Sequence, residues 1–500
     1  MIDPRKLFLA IDQSTSATKA MLFSVDGRLV DQKAISHRQI YPKPGWVEHN
    51  ADEIFKNVQS VISNLLECHS DRWNNLLALS ITNQRETFVI FDRETGLPLC
   101  NAIVWQCRRG DEICKKLVES GKEEIVRSLT GLRIDTYFPA SKLRWLLNEK
   151  PELAARLKDG SALFGTIDTY LIYRLTGCKV YATDHTNASR TLLYDINKLV
   201  WSEELCDLFG ISFSALPEIR ESMAWFGDTD LVGCLNRRIP IYGVMGDSQA
   251  ALFAQRCYEL GSAKVTFGTG SSILLNIGQE VRLSKQGIVT ALGWVVNGQP
   301  TYAFEGIINY TGATISWLRD QLGLITDPAE TEKLALSVPD NGGVYFVPAF
   351  VGLSAPYWRA DAHAAILGMS PDTNRAHIVR AALESIAYLV TDVLKSMASD
   401  EGIELDTIYA DGGAVRNSFL MQFVADLNQL TVRASQAPEL SALGAVYSGF
   451  LGLNIYSSLE ALQNLPYRYD EFSPIVDSSH SKKLFAGWKA AVQQILYQPK

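Results

Sequence analysis

The sequence predicts an α/β protein made of two copies of one domain facing a cleft. Three observations carry that prediction. First, Leu7–Asp12 is an apolar strand that runs through Gln13–Thr18 into a second strand, Lys19–Phe23. Second, Lys264–Phe267 runs through Gly268–Ser272 into Ile273–Ile277, the same strand, turn and strand about half a chain later. Third, strand and helix patterns alternate in both halves, which argues for α/β layers with a ligand at the strand ends. Turns rich in small and hydroxyl residues expose backbone N–H groups and hydroxyls, which suit a polyanionic phosphate. Two such turns, offset by about half of the length, point to a duplication with a nucleotide clamped between the copies.

Asp26 and Gly27 close the first strand pair with a hairpin turn. Leu77–Ile81 reads as a buried strand, with Thr87–Asp92 as its partner. A mainly helical region follows, roughly from Arg109 to Gly177, and Ser141–Leu147 is one amphipathic turn of it. Ile239–Met245 is a strand ending in Gly246 and Asp247, followed by helical Gln249–Ala254. The domain boundary is placed there, giving a first domain over 1–248 and a second over 249–500. In the second half, Ile378, Ala382, Ile386, Leu389 and Val393 keep helical spacing within Thr373–Met397, with Asp372 and Thr373 as caps. Thr407–Ala410 is a strand, Asp411–Gly413 a tight turn, and Ser418 opens a helix.

Composition narrows the class. The chain has 500 residues, 47% hydrophobic and 20% charged, which suits two globular domains with sizeable cores. A net charge of -8 argues against a nucleic-acid or anionic-membrane partner. The eight cysteines form no C-x-x-C and do not pair with the seven histidines at zinc spacing. Free thiols in a reducing, cytoplasmic compartment are the expectation. The first residues lack a signal-peptide core, and no run of eighteen apolar residues could span a membrane.

Several constellations could carry chemistry. Asp12 and Asp247 both end strands, positions from which a carboxylate can hold Mg²⁺ or act as a base. In Asp411–Ala414 the glycines let backbone approach a flat ligand at a helix start. Arg85 and Glu86, side by side after a strand, can grip hydroxyls, and Trp105 offers a carbon chain an apolar face. Taken singly, each also reads as a turn aspartate, a plain Gly-Gly turn, or a surface ion pair beside a core tryptophan.

Together these segments resemble the FGGY carbohydrate kinases, the glycerol kinase branch in particular, from Ile11 to about Leu453. Ile11–Thr15 is similar to the first phosphate motif and Gly268–Gly270 to the second. Pro44–His49, Thr82–Thr87, Ile103–Gln106, Thr136–Phe138, Asp184–Arg190 and Gly246–Asp247 resemble segments of the first domain. Gly342–Phe350 with Gly352–Trp358 resembles the family signature, and Asp411–Asn417 the adenosine motif. The resemblance implies an actin-like, hexokinase-like (ribonuclease H-like) ATPase fold, two duplicated domains hinged around a central cleft.

It also implies an ATP-dependent kinase using Mg²⁺ and acting on a terminal hydroxyl of a small polyol. Asp247 would be the general base, and Asp12 would orient Mg²⁺, mostly through water. Thr15, Ser16, Lys19 and Thr269 would meet the phosphates. Gly312, Ser316, Gly413 and Asn417 would flank adenine and ribose. Arg85, Glu86, Trp105, Tyr137, Asp247, Ser248 and Ser272 would bind the polyol. The family's habit implies a homo-oligomer, dimer or tetramer. Two other readings stand beside this one: a kinase for a tetritol, pentitol or ketose, and a non-catalytic nucleotide or polyol sensor.

Departures from the family bear on substrate more than on reaction. Ser248 replaces a Gln and Ser272 an aromatic, which predicts a larger and more polar pocket end. Ser14 stands where Gly is usual, Lys19 replaces an Arg, and Ser316 replaces a Gln. Gly233–Arg238 keeps only an arginine of the family's sugar-bisphosphate loop, so that regulatory site is not expected.

Overall fold

The computed structural model describes residues 3–69, 72–359 and 361–497. The first sheet uses β1 (Leu7–Gln13), β2 (Ala17–Ser24), β3 (Leu29–Ser36), β4 (Leu76–Asn83), β5 (Trp225–Thr229) and β6 (Ile239–Gly246). Their order is β5-β6-β4-β1-β2-β3. The second sheet uses β7 (Ala263–Phe267), β8 (Ser271–Gly278), β9 (Val289–Val296), β10 (Gln299–Ile308), β11 (Thr407–Gly412), β12 (Thr431–Ser435) and β13 (Tyr469–Phe472). Their order is β9-β10-β8-β7-β11-β12-β13.

The duplication is visible in the pairing. In the first sheet β3, β2 and β1 are antiparallel neighbours, and β1, β4 and β6 run parallel. In the second, β10, β8 and β7 are antiparallel, and β7, β11 and β12 run parallel. Each sheet then adds an antiparallel outer strand, β5 on β6 and β13 on β12. The outer strand precedes its neighbour in the first copy and follows it in the second. All seven residues of β1 are buried, and its first five, Leu7–Ile11, are a continuous apolar run, as a central strand should carry.

Two expectations about elements need correction. The strand over Phe88–Asp92 does not pair with β4. It joins Ala162–Thr166 in a separate four-stranded sheet. Glu86 lies between them at φ +62°, and this left-handed residue turns the chain out of the first sheet. The long helix begins at Arg375, not Thr373, and its cap is Asn374 rather than Asp372 or Thr373. The Asn374 side chain accepts from Ala376 and His377, and the His377 ring accepts from the Asn374 backbone. Thr373 instead closes the preceding turn on Ser370.

Five helices matter for the site: α1 (Asp247–Ala254), α2 (Gly312–Asp320), α3 (Arg375–Glu401), α4 (Ser418–Asn428) and α5 (Leu440–Gly452). The boundary expected at 248 falls inside α1. That helix packs against α5, against β6 and against β8 and β9 of the second sheet. α5 lies on β1, β4 and β6, so a helix from late in the chain covers the first sheet. The two helices approach so closely that a Cβ at Gly444 would stand 1.8 Å from the Ala250 carbonyl oxygen. Phe8, Met21, Phe253, Leu274, Trp294 and Phe450 share one buried cluster that bridges both sheets. Among the described residues no helix is long and apolar enough to cross a membrane.

Candidate active site

Parallel strands place their carboxyl ends at one edge of a sheet, and the candidate residues sit there. The first hairpin turn follows β1, Arg85 and Glu86 follow β4, and Asp247 follows β6. In the second copy, Gly268–Gly270 follows β7 and the Asp411 segment ends β11. These are the positions where α/β sheets carry ligands.

The first turn is closed by the Ser14 amide and hydroxyl, which both donate to the Ala17 carbonyl. It needs no left-handed residue at Ser14, so serine is accommodated there. Thr15 is half-buried and Ser16 is exposed at the tip. Asp12 and Lys19 face each other across the hairpin, Nζ 3.9 Å from Oδ2. Burial pushes the Asp12 carboxyl up; Lys19 opposes this, while Asp247 and Glu439 reinforce it, and the result is about 7. Lys19 makes a closer contact with Glu439, at 2.6 Å. The second turn is locked by Gly268 donating to Gly270 and by Thr311, Gly312 and Ala313 donating to the Gly268 and Thr269 carbonyls. This seats the start of α2 on the turn and leaves Thr269 exposed at its tip.

The polyol candidates converge beside the first turn. The Arg85 Nε stands 3.3 Å from Asp247 Oδ1 and its Nη1 donates to Gln249 at 3.1 Å. The Ser248 amide donates to the same Asp247 oxygen at 2.7 Å, so the carboxylate is oriented from two sides. Its side chain stays 37% exposed and open to a ligand. The Trp105 and Tyr137 rings lie 5.3 Å apart, and the Trp105 indole donates to Thr15 Oγ1 at 3.0 Å. That bond ties the aromatic wall to the first hairpin turn and leaves the Thr15 hydroxyl proton free to donate. Lys142 holds the wall from behind, with Nζ near the carbonyls of Val104, Trp105 and Tyr137. Burial lowers its ammonium to about 8.

Two residues without a sequence-derived role complete the cluster. Arg190 Nε lies 2.6 Å from Glu86 Oε1, and its Nη1 lies 2.5 Å from Glu305 Oε2. Glu305 Oε1 lies 2.8 Å from Arg85 Nη2. Burial alone would raise the Glu305 carboxyl, but Arg190 and Arg85 overcome it and hold it at about 2. Glu86 has one close cation and one at 3.8 Å, and burial leaves its carboxyl above the usual range.

Ser272 lies on β8. It pairs with Thr266 and Ile307, and Leu274, two residues on, pairs with Glu305, so Ser272 and Glu305 share one sheet face. Its hydroxyl is buried without a hydrogen-bond partner. At the adenosine motif, Gly412 has φ +97° and its Cβ would meet the Phe267 carbonyl oxygen at 2.4 Å. Gly413 differs, because a Cβ there would meet nothing within 4 Å. Asn417 caps α4 through Leu420 and donates to Thr331 Oγ1, while Ser316 lies half-buried on α2.

The FGGY family of carbohydrate kinases matches by its N-terminal domain over residues 7–254 and by its C-terminal domain over residues 263–453. The chain belongs to this family. Glycerol kinase 1 of Thermotoga maritima is 47% identical over 489 residues, covering 98% of this chain and 99% of that protein. The glycerol kinase of Carboxydothermus hydrogenoformans is 46% identical, covering 98% of each. Among solved structures, Plasmodium falciparum glycerol kinase with ADP aligns at TM-score 0.95 and 39% identity over 99% of both chains. A xylulose kinase from Lactobacillus acidophilus shares the fold, with TM-score 0.88 at 21% identity. The two-domain kinase fold and the phosphotransferase class expected from the sequence are thereby established for this FGGY kinase.

Proposed function

We propose that this FGGY kinase transfers the γ-phosphoryl group of ATP to a terminal hydroxyl of a small polyol, with glycerol the first candidate. The observation that carries the reading is the Arg85–Asp247 contact at 3.3 Å, a base and a hydroxyl-gripping cation at neighbouring strand ends. The glycerol kinases at 46–47% identity support the choice of glycerol.

In this reading Asp247 accepts the proton as the hydroxyl oxygen attacks the γ-phosphorus and the bond to the diphosphate breaks. Arg85 and the Ser248 amide keep the carboxylate aimed, and the Trp105–Tyr137 wall packs the carbon chain. Positioning and charge neutralisation supply most of the rate in phosphoryl transfer. Thr15, Ser16 and Lys19 from one turn and Thr269 from the other meet the phosphates. Gly413 gives adenosine an open cradle, flanked by Gly312, Ser316 and Asn417. Asp12, buried and short of positive partners, suits Mg²⁺ held largely through water; the ion would neutralise phosphate charge. The two family domains meet just after α1, between 254 and 263, and closure excludes water. A cytoplasmic dimer or tetramer belongs to the same reading.

A second reading keeps the chemistry and enlarges the substrate. The unpartnered Ser272 hydroxyl, with Ser248 beside the base, favours a polyol with further hydroxylated carbons, a tetritol or pentitol. A coupled ADP-release assay across glycerol, dihydroxyacetone, tetritols, pentitols and ketoses separates the two. A clear glycerol preference supports the first reading. A longer polyol winning by about tenfold in kcat/KM, ~1.4 kcal/mol of transition-state preference, supports the second. No turnover with any of them rejects both.

A further inference from the structure

Glu305 belongs to none of the segments that mark the site in the sequence, yet it stands at the site's centre. It projects from β10 of the second sheet and contacts Arg85 at 2.8 Å and Arg190 at 2.5 Å. Arg190 reaches Glu86 Oε1 at 2.6 Å, and Arg85 Nε lies 3.8 Å from that same oxygen. The four side chains form a closed ring of alternating charge, none more than 5% exposed.

Stability does not explain such a ring. Desolvating charged groups is costly, and well-packed apolar groups of similar volume often stabilise as well or better. What the ring supplies is direction. Arg85 donates Nη1 to Gln249 and holds Nη2 in an ion pair 2.8 Å from Glu305, which places the guanidinium with Nε facing Asp247. Three ring members come from the first family domain, and only Glu305 comes from the second. We infer that Glu305 is a positioning residue, the second domain's carboxylate that aims Arg85 at the base and at the substrate hydroxyls. Arg190 is its counter-ion and keeps it ionised. The polyol site is therefore completed by the domain that also carries the second phosphate turn. This inference rests on the polyol reading above.

The test compares the full chain with Glu305→Gln, which keeps shape and removes charge, and Glu305→Asp, which keeps charge and withdraws it by one methylene. The probe is glycerol, or the polyol the unmodified chain turns over best. The kcat/KM for polyol is expected to fall about 100-fold in Glu305→Gln and about tenfold in Glu305→Asp. The ATP dissociation constant, by titration calorimetry, should stay within about threefold. Polyol kcat/KM within about threefold of the unmodified chain in a folded variant overturns the inference, as does a parallel loss of ATP affinity. If Glu305→Gln lacks a cooperative unfolding transition, Glu305→Asp decides alone. An unmodified chain inactive on every polyol fails the polyol reading itself, whereas an active one with unaffected variants fails only this inference.

Discussion

The Lys19 ammonium stands 2.6 Å from Glu439 Oε2, an ion pair between β2 of the first hairpin and the residue that opens α5. Glu439 is held at φ +57° and its neighbour Ser441 donates to the Asp247 carbonyl at 3.0 Å. Without nucleotide, a carboxylate therefore occupies the cation proposed to meet the phosphates.

Glu439→Gln should free Lys19 for the phosphates. Both side chains are partly solvated, so the pair is worth at most about 1 kcal/mol. ATP binding by titration calorimetry is expected to tighten about two- to fivefold. Weaker binding would show that Glu439 assists the nucleotide rather than competing with it.

Asp247→Asn should separate chemistry from binding. It keeps the helix start and removes the proposed base, so kcat is expected to drop about 10²–10⁴-fold while ATP affinity holds. Loss of ATP binding in a variant with unchanged circular dichroism would reject the base assignment.

The contribution of Asp12 to the stability of the nucleotide-free protein should fall as pH rises from about 4 to about 7. Folded Asp12 holds its proton up to about 7, whereas in the unfolded chain it releases it near 3.8. The folded state thus carries the extra proton between these values, and deprotonation there costs folding free energy. Asp12→Asn cannot titrate and should flatten this part of the profile in urea denaturation. An unchanged slope would place the coupling elsewhere.

Two glycines should respond in opposite ways. Gly444→Ala drives a methyl group into the Ala250 carbonyl at the α1–α5 crossing and should cost about 2 kcal/mol or more. Gly413→Ala meets open space, so melting should be unchanged within about 0.5 kcal/mol while ATP affinity falls. Unchanged ATP affinity in Gly413→Ala would argue that the cradle does not face the nucleotide.

The legible parts of this protein were local ones. The β1–β2 and β7–β8 hairpins announce themselves by apolar strands flanking small-residue turns, and both occur where expected. Asp247 and the Arg85–Glu86 pair stand at strand ends for the same reason. The partner of Phe88–Asp92 was not legible, because one left-handed residue, Glu86, redirects the strand. Nor was the Asn374 cap, since Asp372, Thr373 and Asn374 are all good capping residues and only backbone geometry chooses among them.

By itself, the sequence determined the duplicated hairpins, the strand-end carboxylates and the family, because these depend on residue type and short spacing. Tertiary structure alone decided that Arg190 and Glu305 close a ring around Arg85, and that Lys19 meets Glu439 across 420 positions. The physical reason is distance: charges interact through a few ångströms of space, and which ones come that close is set by strand register and domain packing.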